Sequence, residues 1–94
     1  MTESVHSVSP FWRDDIDSLA FQPDGHKGLC VIHRRAFRTL LGFMPEPKDC
    51  CAYFEKQREI FQHAAIEKIV RAGVLTDDNF HLNSRNIRSA QPCV

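Results

Sequence analysis

The sequence lacks most of the features that announce an activity. No apolar run approaches the ~20 residues that a membrane-spanning helix needs. Net charge is absent too: 12 Lys and Arg stand against 12 Asp and Glu, so bulk electrostatics marks neither a nucleic-acid partner nor a membrane surface. Glycine is scarce, and there is neither a glycine-rich phosphate loop nor a nucleophile elbow, nor a carboxylate pair clustered at one strand end. A substrate cavity would consume much of the core of a 94-residue chain, so the expectation is a protein that is not an enzyme. The four cysteines, Cys30, Cys50, Cys51 and Cys93, contain no C-x-x-C pair, which removes a zinc knuckle and a thioredoxin-like site. The N-terminus carries Glu3 and lacks the basic start and apolar stretch of a signal peptide. The expectation is a cytoplasmic protein with reduced thiols.

What is present is enough for one core. Apolar residues make up 43% of the chain, an ordinary globular share, and the length fits a single domain. Residues 1–10 have no period and end in Pro10, which reads as a flexible N-terminal segment. A single domain over 11–88 follows, and 89–94 reads as a flexible C-terminal tail. Phe11 and Trp12 are too large to leave in water without reason; they anchor on the core or meet a partner.

From Asp17 the apolar period is two, with Leu19 and Phe21 alternating against Ser18, Ala20 and Gln22. Asp24-Gly25 supplies the positive φ of a reversal, and Gly28-Leu29-Cys30-Val31-Ile32 returns as a central strand. A helix then holds Ala36, Phe37, Leu40 and Leu41 at steps of three and four, and Gly42 stands at its C-cap. Pro47 opens a second helix whose stripe is Cys51, Phe54, Arg58, Phe61, Ala65 and Ile69, closed by Gly73. A continuous helix over 47–72 would be about 39 Å long and would form the spine of the domain. Phe80-His81-Leu82-Asn83 alternates again as a third short strand, and a turn from Ser84 carries Ile87 inward. The predicted class is α+β, in the order β-β-α-α-β: a hairpin, a short helix, a long helix and a third strand, with a small antiparallel sheet packed on the helices.

These segments resemble a family of short bacterial proteins, domain of unknown function 1488. The likeness rests on Leu19-Ala20-Phe21, Gly28 with Cys30-Val31-Ile32, Ala36-Phe37, Leu41-Gly42, then Phe54, Arg58, Ala65 and Lys68, and ends at Phe80-His81-Leu82. It spans roughly residues 12–88 and implies an α+β fold of this topology without implying any chemistry. The chain departs from the pattern where the first helix usually starts on a small hydroxyl cap with an acid soon after. Here His33-Arg34-Arg35 stands, which predicts a poor cap and two cations at the positive end of the helix dipole.

Three groups of residues are candidate sites. Lys27, His33, Arg34, Arg35 and Arg38 fall in an acid-free stretch and suit a phosphate or carboxylate; the plainer alternative is a solvated helix face offset by Asp14, Asp15 or Asp17. Arg58, on the apolar stripe, either clamps a ligand in a pocket or packs its stem and bonds Glu55 or strand-end carbonyls. Cys30, His33, Cys50, Cys51, His63 and His81 have no recognised metal-ligand spacing, so neither metal nor cofactor is expected. The long helix, the Phe43-Met44 linker and the Phe11-Trp12 anchor favour a non-catalytic binding or regulatory accessory module. Its partner would be another protein or, through the sheet edge or the long helix, a second copy in a homodimer. The rival class is a nucleic-acid-binding accessory protein using the basic first helix with Arg85 and Arg88.

Overall fold

The computed structural model describes residues 10–91. The chain begins with a strand, β1 (Phe11–Arg13), followed by one 3-10 turn (Asp14–Ile16). Asp17, at φ 50°, reverses the chain into β2 (Ser18–Phe21). After the Gly25 turn come β3 (Cys30–His33) and α1 (Arg34–Leu41), then α2 (Pro47–Lys56) and α3 (Arg58–Ala72). The described part closes with β4 (Phe80–Leu82) and α4 (Ser84–Ala90). The segments 1–9 and 92–94, most of the two expected flexible ends, lie outside the described residues, and α4 runs two residues into the expected tail.

The α+β class and the hairpin stand as the sequence predicts: β2 and β3 pair antiparallel, Leu19 opposite Ile32 and Phe21 opposite Cys30. Four features depart from the expected β-β-α-α-β order. Phe11–Arg13 is a fourth strand, paired antiparallel with β2 at the sheet edge. The sheet order is β1-β2-β3-β4 and β4 lies parallel to β3, so the sheet is mixed rather than antiparallel. The cause is the return path of the three helices. They bring the chain back to the start of β3, where the Lys27 and Gly28 amides both donate to the Thr76 carbonyl, and the Phe80 amide donates to Leu29. The turn expected from Ser84 is the helix α4, capped reciprocally by Asn83 and Asn86.

The fourth departure is the spine. The helix over 47–72 breaks at Gln57, whose backbone sits at φ −113°, ψ 28° and whose amide is shared between the Tyr53 and Phe54 carbonyls. An unbroken helix would separate Phe54 from Phe61 by about 10 Å along its axis. With the break, their ring centroids are 5.0 Å apart, Phe21 lies 4.8 Å from Phe54, and Phe37 stacks at 5.8 Å on Phe61. This aromatic chain is the centre of the core, with Leu19, Cys30, Ile32, Leu82 and Ile87 around it.

The strand residues of this core, Leu19, Phe21, Cys30, Ile32 and Leu82, share one face of the sheet, and the helices pack on that face. On the opposite face the register aligns Phe11, Ala20, Val31 and His81 across the four strands. Gly28 fixes the end of the sheet: a Cβ there would stand 2.1 Å from the Asp78 carbonyl oxygen, and only glycine lets the two backbones approach so closely.

Candidate functional site

The basic stretch does not fold into one patch. Lys27 sits in the loop before β3, held by its amide to Thr76, while His33 stands at the other end of that strand. Arg34 turns toward β2: its Nε donates to Asp17 at 3.1 Å and its Nη1 to the Pro45 carbonyl at 3.3 Å. Asp17 is thus the acid that offsets Arg34, and Asp15 is spent on Arg13, whose guanidinium holds its carboxyl below the ordinary value. Arg35 points to another side and is exposed, and Arg38 lies exposed one turn on from Arg34. Of the five residues of the basic stretch, only His33 and Arg35 come to the same groove, while Lys27, Arg34 and Arg38 are not among its lining residues.

His33 caps α1 after all. Its Nδ1 accepts the Arg35 backbone N–H at 3.0 Å, doing what a serine hydroxyl does at this position. Since Nδ1 is the acceptor, the proton of the neutral ring is on Nε2, which is left as a donor.

What the fold gathers instead is a groove of about 340 Å3 at the end of the parallel pair β3–β4, between α1 and α4. Its walls are His33, Arg35, Ala36, Thr39, His81, Leu82, Asn83 and Ser84, with no carboxylate among them. At its far end Arg88 donates to the Thr39 carbonyl at 3.3 Å, tying α4 to α1. His81 and Ser84 join His33 and Arg35 only because β4 is parallel to β3. The alternation of residues 80–83 does place His81 outward, but nothing in the sequence says which strand lies beside it.

Arg58 lines a second groove, of about 470 Å3, with Phe21, Gln22, Asp24, Glu59, Gln62, His63 and Ile66. It is half-buried rather than enclosed, and of the two sequence readings the structural one holds: its guanidinium bonds Glu55 at 2.6 Å and rests 5.4 Å from the centre of the Phe54 ring.

Among the described residues no three His, Cys, Asp or Glu side chains gather as a metal site. Cys30, Cys50 and Cys51 are free thiols. Burial pushes all three up, Cys50 to about 12, so they sit in the neutral form and are poor nucleophiles.

A third surface feature is apolar. α3 buries Phe61, Ala64 and Ala65 inward, and on its outer side Ile66 and Val70 are 47% and 75% exposed. Leu75, just beyond the helix, is also largely exposed, as are Phe43 and Met44 in the α1–α2 linker. Among the described residues no helix is long and apolar enough to cross a membrane.

Comparison with protein-family models, with curated proteins and with solved structures gives no match. The likeness to domain of unknown function 1488 therefore rests on the residues that carry it.

Proposed function

We propose that the protein is a non-catalytic binding module that works as a homodimer joined through the outer face of α3. The observation that carries this reading is that α3 exposes Ile66 and Val70 on the side away from the core. Val70 at 75% exposure and Ile66 at 47% are one turn apart on the outer side, an arrangement that costs solubility unless something covers it.

A second copy fits that face. Two α3 helices packed antiparallel about a two-fold axis set Ile66 of each copy against Val70 of the other. Glu67 and Arg71 lie on one flank of this pair, and the same axis brings each Glu67 toward the partner's Arg71. The neutral thiols support a module without nucleophilic chemistry, and as free thiols they support a reducing, cytoplasmic location. Membership of the bacterial family it resembles is part of the same proposal.

Sedimentation velocity across a concentration series tests it. The wild-type protein is expected to pass from monomer to dimer, and Val70→Glu to remain monomeric with an unchanged circular dichroism spectrum. A wild-type protein that stays monomeric throughout would overturn the reading.

A further inference from the structure

The groove between α1 and α4 collects hydrogen-bond donors around the Arg35 guanidinium, and no acid lines it. Arg35 contributes an exposed guanidinium fork. His33 contributes Nε2–H, its tautomer set by the bond its Nδ1 accepts. Ser84 adds a hydroxyl, and His81, whose register places it on the outer face of β4, borders the groove at its rim. Thr39 adds no donor, because its hydroxyl already donates to the Arg35 carbonyl at 3.2 Å. The helix amides are partly spent as well: His33 takes that of Arg35, and Asn83 takes that of Asn86 at 2.9 Å. The recognition chemistry therefore belongs to the side chains.

From this set we infer that the groove binds the phosphoryl group of a small phosphate monoester. A carboxylate offers two oxygens and a single charge, so once the Arg35 fork holds both oxygens the donors around it are matched less fully. A terminal phosphate carries three acceptor oxygens and a charge of about −1.5 to −2 at neutral pH, which matches the fork plus single donors around it. A phosphodiester has only two free oxygens and one charge, so a nucleic-acid backbone matches the set less well. The volume, about 340 Å3, is that of a small-molecule site rather than a macromolecular track. The site lies on the α1–α4 side of the fold, apart from Ile66 and Val70 on α3, and it stands whether or not the chain dimerises.

The test is an NMR titration of isotope-labelled full-length protein at constant ionic strength. The probes are inorganic phosphate, glycerol phosphate, dimethyl phosphate and acetate. Saturable shifts at His33, Arg35, His81 and Ser84 are expected with the two phosphates and not with acetate. Arg35→Gln is expected to weaken binding about tenfold or more, since it removes a charge-assisted bidentate contact. His81→Gln weakens it less, and Arg34→Gln, whose head is held by Asp17, leaves it unchanged. His33 is kept intact in this series because it also caps α1. Shifts that fail to saturate would overturn the inference, as would an equal loss in Arg34→Gln and Arg35→Gln. A response to dimethyl phosphate as strong as to glycerol phosphate would also overturn it, in favour of a nucleic-acid backbone.

Discussion

Phe54 and Phe61, seven residues apart in the chain, meet with their ring centroids 5.0 Å apart because the backbone breaks between them at Gln57. Both side chains are fully buried, and through Phe21 and Phe37 the pair links the sheet to α1. The break is therefore what lets α2 and α3 contribute to one core.

Truncating either ring removes that junction. Phe54→Ala and Phe61→Ala are each expected to cost about 3–5 kcal/mol, comparable to the whole stability of a domain this small. Milder changes to Leu keep the protein folded and measurable. Urea unfolding of Phe54→Leu, Phe61→Leu and the double variant is expected to show coupling of about 0.5–1.5 kcal/mol. Additive losses would mean that the two rings do not stabilise each other.

Gly28 should tolerate nothing larger. Its neighbour is backbone, the Asp78 carbonyl, which cannot step aside as a flexible side chain could. Gly28→Ala is expected to destabilise by about 2 kcal/mol or more in thermal or urea unfolding, by forcing apart the loops before β3 and before β4. The amides of Lys27 and Gly28 and the Asn79 side chain bonded to Leu29 at 2.8 Å would be disturbed together. Wild-type stability in this variant would contradict the close approach.

The Cys50 thiol sets an alkaline limit. Burial raises it from an ordinary 9.0 to about 12. Below pH 9 both folded and unfolded chains hold this proton, so it makes no difference there. Between 9 and about 12 the unfolded chain releases the proton while the folded chain keeps it, so stability falls as pH rises. Urea midpoints measured upward from neutral pH should decline more gently above pH 9 in Cys50→Ala than in the wild type. Parallel declines would show that Cys50 is not retained as a thiol in the folded state.

The sequence makes the hairpin, α1 and the inward aromatic residues legible, because apolar period and turn chemistry are local signals. Leu19, Phe21, Ile32, Phe37, Phe54 and Phe61 all reach the core by that logic. The break at Gln57 has no such signal: neither proline nor glycine stands there, and it coincides with the long-range packing of Phe54 and Phe61 in one core. Arg58 was legible in part: its bond to Glu55, three residues back, is a local relation that the spacing offers. Phe11–Arg13 is too short to show a period and becomes a strand only by pairing with β2. The groove was half legible. His33 and Arg35 stand out in the basic stretch at a helix start, whereas His81 and Ser84 join them through the parallel pairing of β3 with β4, a long-range relation.

Charge reversal across α3 tests the homodimer most directly. In the proposed two-fold packing each Glu67 faces the partner's Arg71. Glu67→Arg and Arg71→Glu should each weaken association, and the double variant should restore it, with all three measured by sedimentation equilibrium at low salt. Restored dimerisation in the double variant is the predicted result. Single and double variants that associate as the wild type does, or a double variant weaker than either single one, would contradict the packing of α3 on a second copy of itself.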